Sequence, residues 1–337
     1  MRFEFYREGL AGGAPLLSVD GTVDGALHLS HWEGNKTPEE LRADTSTEIA
    51  LNFAAWTRRA EWARGVEVVT NNHFDADGVL SVWSVLHGER ALGLRDELVS
   101  AAEAGDFSEF PNERAVRVSI LLQGGDNPFV PGVNSPLVEH LAGGARVDER
   151  RAYELVLPEV ERVLARTHEY EPLWRAGWAQ IERTLESFAR NESRVVEDAE
   201  SKLSVVTLAP DFYEGGYDPA RHAAPYTAVA HNARGEVFLV ATPHADGWAY
   251  RIDYPYYSWA ETRTRPRVAR RDLSGLVGRL NVLERGRGVW KADRSELTSA
   301  VKFLDEAGVP ASSRLEPDEV AAELRGVLKG QAVSLAT

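Results

Sequence analysis

One run constrains this chain more than any other. VEVVTNN at 66–72 passes directly into HFDADG at 73–78 and then into VLSVWSVLHGERAL at 79–92. The first segment is short, apolar and β-branched, which suits a buried strand. The last places Val79, Leu80, Trp83 and Leu86 on one face of a helix. Strand, polar turn, helix is the repeating unit of an α/β layer fold. The polar turn then falls at the carboxyl end of a strand, the edge where such folds hold ligands. The expected fold class is therefore α/β: a layered, mostly parallel sheet with flanking helices, followed by a smaller α+β module.

The surroundings fit that unit. PLLSVD (15–20) and ALHLSHW (26–32) read as short strands. In NKTPEELRAD, Thr37 is placed to cap and Pro38 to open a helix, and STEIALNFAAWTRRAEWA (46–63) has apolar residues at helical spacing. RDELVSAAEAGDF (95–107) continues helical, and RAVRVSILLQ (114–123) suits either a strand or the start of a helix. Residues 150–200 read as two or three helices whose Glu and Arg pairs form a solvated face. After 203 short alternating runs joined by NARG and ADG turns signal antiparallel hairpins, and ELTSAVKFLDEAG and EPDEVAAELRGVLKG read as closing helices. The expected domains are 1–202, with a helical extension at 150–200, and an α+β domain at 203–337.

Composition narrows the chemistry. The chain has no Cys, which excludes disulfides, thiolate nucleophiles and Cys-ligated metals, so any metal site must use imidazole and carboxylate. Its 337 residues carry a formal charge of −14, which argues against bulk attraction to long duplex nucleic acid. Only five basic residues are Lys, against 33 Arg, a bias a genome alone can produce. No apolar run approaches the length of a membrane span and the N-terminus lacks a signal-like core, so the expected location is cytoplasmic, away from membranes.

NNHFDADGV (71–79) carries the densest chemistry. Asn71, Asn72, His73, Asp75 and Asp77 fall within seven residues, ahead of a turn-forming Gly78. A divalent cation needs several hard oxygen or imidazole ligands converging from a short radius, and a strand end followed by a turn can supply them. With ligands from elsewhere, such a cluster could hold two ions. The simpler alternative is that Asp75 or Asp77 caps the following helix.

HFDADGVLSVWSVL resembles the first metal-binding motif of the DHH phosphoesterase superfamily, with His-x-Asp-x-Asp-Gly before an apolar helix. That superfamily includes manganese-dependent pyrophosphatases, exopolyphosphatases, single-strand exonucleases and cyclic-dinucleotide phosphodiesterases. The resemblance implies that His73, Asp75 and Asp77 ligate a catalytic divalent pair, Mn2+ or Mg2+. The Asp-His-His triplet of the superfamily is absent from the chain. If the order of motifs is permuted, HLSHW (28–32) and ADTSTEIALNFA (43–54) stand in its place. His31 then represents one of the paired histidines, Trp32 occupies its partner's position, and Asp20 or Asp24 comes from a neighbouring strand. LVSAAEAGDFSEF (98–110) is similar to the region holding a further ligand, here Asp106. His28 and His31 would face opposite sides of a strand, so at least one of them is structural.

The second module concentrates aromatic and arginine side chains in 243–273, among them Trp259, Arg263 and Arg265. Rings that stack and guanidinium groups that grip oxygens suit a phosphorylated or nucleotide ligand. Packed tyrosines with arginines reaching to solvent are the plainer alternative. Asn71, Asn72 and Lys291 are further candidates for substrate binding, with Asp126 and Asn127 secondary. GxSxG, HExxH and P-loop patterns do not occur. The expected function is a divalent-metal-dependent phosphoesterase-like hydrolase of a small phosphorylated or nucleotide substrate, with Asp75, Asp77, His73 and His31 catalytic. The alternative is a non-catalytic ligand-binding or interaction protein with a degenerate DHH-like fold. A homodimer is compatible with either.

Overall fold

The computed structural model describes residues 1–10, 12, 14–124, 133–209, 225–244, 247–292, 299–309 and 311–332. Asp126 and Asn127 lie outside the described residues. The architecture is α/β, with strands of both directions and flanking helices. The chain divides into two compact units, 1–179 with 259–266, and 180–258 with 267–337.

The first unit is built on four short strands, β1 (Arg2–Phe3), β2 (Leu16–Val19), β3 (Leu27–Leu29) and β4 (Val68–Thr70), in the order β1-β4-β2-β3. All three pairings are parallel, with Leu17 opposite both Leu27 and Val69. Parallel pairing brings the carboxyl ends of β2, β3 and β4 to one edge. β2 and β4 are buried at every position, as a strand covered on both faces must be.

The helices of this unit are α1 (Ser46–Ala55), α2 (Arg59–Trp62), α3 (Ala76–His87), α4 (Glu89–Leu92), α5 (Arg95–Asp106), α6 (Glu113–Gln123), α7 (Pro136–Leu141), α8 (Glu149–Val156) and α9 (Val160–Ala165). Thr45 caps α1 by accepting from the Glu48 N–H, Asp75 caps α3 through the Gly78 N–H, and Asn112 caps α6 through the Ala115 N–H. The run 114–123 is thus helical. The helix expected over 46–63 breaks at Trp56, whose backbone is extended. The helix expected after Thr37 is a single 3-10 turn at Glu39–Leu41, because the Thr37 hydroxyl bonds Ser30 instead of capping.

α10 (Glu171–Ala189) carries the chain into the second unit. There six strands, β5 (Arg194–Asp198), β6 (Leu203–Thr207), β7 (Val237–His244), β8 (Gly247–Asp253), β9 (Val289–Ala292) and β10 (Ser299–Leu304), form a mixed sheet in the order β5-β6-β7-β8-β10-β9. Among the described residues only the β6–β7 pairing of this sheet is parallel. α11 (Tyr226–Asn232), α12 (Ser274–Leu283) and α13 (Pro317–Ala332) complete the unit. Two expectations change here. The NARG turn joins a helix to a strand, since YTAVAHN is α11. The helix expected across ELTSAVKFLDEAG is β10: Val301 and Phe303 are buried either side of Lys302, and Phe303 packs on Trp290 with centroids 5.4 Å apart. Two-residue alternation outweighs the helix-forming residues around it.

Candidate metal centre

The edge of the four-stranded sheet gathers six ionisable side chains from separate elements. Asp20 follows β2 directly and leaves it in the left-handed region, φ 58°, uncommon outside glycine. His31 follows β3. His73 and Asp75 lie in the β4–α3 turn, Asp77 opens α3, and Asp106 ends α5. Asp20, His31 and Asp77 are buried, and each can offer a ligand atom within 4.8 Å of the others. Asp20, His73 and Asp75 form a second such group, so Asp20 belongs to both. Asp106 is outside both groups but adjoins the first, its carboxylate 3.3 Å from His31 Nε2.

Hydrogen bonding fixes which atoms face the centre. The main-chain carbonyl of Asp44 lies 2.6 Å from His31 Nδ1, and Asn72 Oδ1 lies 3.0 Å from His73 Nδ1. A proton on each Nδ1 leaves Nε2 as the ligating nitrogen. His31 Nε2 stands 3.6 Å from Asp20, 3.7 Å from Asp77 and 3.3 Å from Asp106, while His73 Nε2 stands 3.0 Å from Asp20 and 3.3 Å from Asp75. His31 Nε2 and Asp106 Oδ2 are buried with no hydrogen-bond partner among the described residues, whereas Asp20 and His73 Nε2 are paired with each other at 3.0 Å. Buried polar atoms left in this state are costly, and converging ones fit a cation.

Electrostatics agrees. Burial, then repulsion from Asp20, pushes the Asp77 carboxyl well above its ordinary range, against the opposing hydrogen bonds from Thr47. Burial, then Asp77, Asp75 and Asp20, does the same to Asp106. Burial holds His31 down against the opposing pull of Asp20 and so favours the neutral imidazole. Burial also acts to lower His73, but the Asp75 and Asp20 carboxylates outweigh it and raise His73 well up. Four carboxylates around two imidazoles thus lack positive charge, which a divalent ion would be able to supply. The donor set of imidazole and carboxylate is of the kind that can coordinate a divalent cation.

Further side chains and main-chain groups hold these six in place. Asp77 accepts from the Ser46 and Thr47 N–H groups, each 2.7 Å away, and so sits on the N-terminus of α1. Tyr153 accepts from the Asn71 amide at 2.9 Å and donates to the His73 carbonyl at 3.0 Å. Gln123 ties the Ala76 N–H to the Gly105 carbonyl, joining the start of α3 to the end of α5. Of these groups the sequence singles out Asn71, expected to bind substrate and here bonded to Tyr153, and the 43–54 stretch that holds Ser46 and Thr47.

Other expected residues fall differently. Asp24 is exposed in its turn, which leaves Asp20 as the aspartate at the cluster. His28 is structural: Nε2 donates to the Val23 carbonyl and Nδ1 accepts from the Lys36 N–H. Asn72 is exposed beside His73. Trp259 packs edge-on against His31, centroids 5.1 Å apart, and against Trp32 at 4.6 Å. Arg263 bonds Glu39 through its side chain. Arg265 is held by Asp44, Glu103 and Glu109, so its donors are occupied within the protein. Lys291 lies on β9 of the second unit, exposed to solvent.

Fold and cluster together define an α/β protein with a buried Asp/His centre able to coordinate divalent metal. The chain belongs to DUF6687, a family of unknown function whose model matches residues 3–336. No curated protein and no solved structure matches it. The likeness to DHH phosphoesterases therefore rests on the motif alone.

Proposed function

We propose that the protein is a divalent-metal-dependent phosphoesterase-like hydrolase acting on a small phosphorylated or nucleotide substrate. The observation that carries this reading is the pair of ligand sets sharing Asp20. His31, Asp77 and Asp106 would hold one ion and His73 and Asp75 the other, with Asp20 common to both. A bound pair supplies Lewis acidity, polarising a phosphoryl oxygen and lowering the pKa of an attacking water. The His73 and Asp75 side is 28% exposed whereas the His31 side is closed, so substrate approaches from the former. Trp32 and Trp259, both partly exposed, offer rings beside the two histidines on which a base can stack.

A second reading, ligand binding without turnover, is favoured by Arg265, whose occupied donors remove one expected phosphate clamp. Turnover separates the two. Protein purified without chelator is assayed against pyrophosphate and a panel of phosphodiesters and nucleotides with added Mn2+ or Mg2+, beside Asp20→Asn. Hydrolysis that needs the metal and falls at least about 100-fold in the variant supports the hydrolase. Metal binding without turnover of any substrate supports the second reading.

A further inference from the structure

The segment 259–266 belongs to the first unit although the chain on both sides of it belongs to the second. It touches His31 at three levels. The Glu261 N–H donates to the His31 carbonyl at 2.8 Å, and the Trp259 ring stands edge-on to the imidazole. The third contact is indirect: the Asp44 carbonyl that meets His31 Nδ1 belongs to a residue clamped by this segment. The Asp44 carboxylate accepts from the Arg263 N–H, from the Thr264 N–H at 2.9 Å, from the Thr264 hydroxyl and from Arg265 at 2.6 Å. Burial alone would push that carboxyl up, but these donors hold it below its ordinary value.

Arg265 reaches further. It donates to Glu103 at 2.7 Å and to Glu109 at 2.9 and 2.5 Å, the two residues that bracket Asp106. Its guanidinium lies over the Phe107 ring, 4.9 Å from the centroid, and Phe107 packs on His31 at 5.7 Å. By contrast, Asn72 and Tyr153 hold His73; among the described residues 259–266 makes no hydrogen bond to it and meets it through the Trp32 ring, 4.6 Å from Trp259 and 5.5 Å from His73, rather than through Thr264 or Arg265.

We infer that residues 259–266 form a positioning strap that fixes His31 and Asp106, and so sets the metal affinity of the closed half of the centre without touching the ion. Thr264 and Arg265 are positioning residues acting through Asp44, Glu103 and Glu109. Outer groups that orient a ligating imidazole typically change metal affinity by about 10–100-fold when removed. Here the effect falls on one half of the centre.

The metal arm of the test rests on the hydrolase reading, so a metal-free arm accompanies it. Full-length protein, Thr264→Val, Arg265→Met and Arg265→Lys are titrated with Mn2+ by calorimetry and electron paramagnetic resonance, with His73→Ala marking the open half. Thr264→Val and Arg265→Met should weaken one class of site about 10–100-fold and leave the class lost in His73→Ala unchanged, with Arg265→Lys partly restored. In metal-free protein the His31 Nδ1–H should give a protected downfield proton resonance that Thr264→Val and Arg265→Met shift or lose, while the His73 ring signals stay in place. Equal weakening of both classes, or no change in either, overturns the strap's role in metal affinity. Wild type that binds no Mn2+ defeats the hydrolase reading, and the resonance then decides alone whether the strap holds His31. An unchanged His31 resonance in both variants overturns that hold.

Discussion

Gly78 shows how closely the centre is packed around single atoms. A Cβ at this position would lie 2.5 Å from Asn71 Nδ2, 2.6 Å from the Tyr153 hydroxyl and 3.0 Å from Asp75 Oδ1. The first two belong to the chain of hydrogen bonds that fixes the His73 carbonyl. Gly78→Ala should therefore destabilise the protein by about 1–3 kcal/mol and loosen the His73 side of the centre. Denaturant unfolding measures the first effect and Mn2+ titration the second; a variant with wild-type stability contradicts the packing described. At this scale the sequence was informative where ligands were consecutive. His73, Asp75 and Asp77 lie in one short motif, and a strand end followed by a turn announces their convergence. Asp20, His31 and Asp106 came from resemblance alone, because nothing local distinguishes an aspartate after a strand from one in a turn, as Asp24 is. Tyr153 carried no signal, since its partners are about eighty residues away in sequence.

At the scale of elements, short strands were legible from buried β-branched runs, and caps such as Asp75 from their position before apolar helices. β10 was not, because Ser, Glu and Asp around Val301 and Phe303 mimic a helix. Its burial depends on β8 and β9, which local sequence does not specify. The corner that closes this sheet rests on Glu284. Its carboxylate accepts from the Gly286 N–H at 2.7 Å, the Arg314 N–H at 2.9 Å, Trp290 Nε1 at 2.9 Å and the Ser313 hydroxyl at 2.6 Å. Burial raises this carboxyl, but the hydrogen bonds from Ser313, Arg314, Gly286 and Trp290 outweigh it and leave it below its ordinary 4.5. A depressed carboxyl contributes stability that is complete above its unfolded value and lost as pH falls through the folded one. Glu284→Gln should therefore cost about 1 kcal/mol at neutral pH, a figure kept small by solvent screening of a half-exposed group. The difference from wild type should shrink below about pH 4.5. Urea unfolding of both proteins across that range checks it, and a gap that stays constant or widens toward acid would show that the ionised carboxylate is not what ties the corner.

For the whole molecule the decisive quantity is uncompensated charge at one sheet edge. Asp20, Asp75, Asp77 and Asp106 meet around two histidines, Asp20 and Asp77 fully buried, and they repel one another. Protonation is one way to relieve this, and raised Asp77 and Asp106 show the pressure toward it. A divalent cation would relieve it without protonation and would bind the folded state only, since Asp20, His31, Asp77 and Asp106 follow β2 and β3 or lie in α3 and α5, which unfolding separates. Each ion bound then adds RT ln(1 + [L]/Kd), about 2.7 kcal/mol at a free ion concentration 100 times its Kd. In a unit of this size each kcal/mol moves the unfolding midpoint by about 2–4 °C, so each Mn2+ bound should raise it by roughly 5–10 °C and a chelator should reverse the shift. With two compact units the heat capacity trace need not be two-state, and the increment should appear in the transition of the first unit alone. Glu284→Gln, which acts on the second unit, marks the other transition independently. Asp20→Asn weakens both ligand sets at once and should abolish most of the metal-induced shift, whereas His73→Ala should retain the part due to the closed half. A midpoint indifferent to Mn2+ and chelator in the wild-type protein would mean that the carboxylates are relieved by protons instead, and the cluster would then be a buried acid centre rather than a metal one.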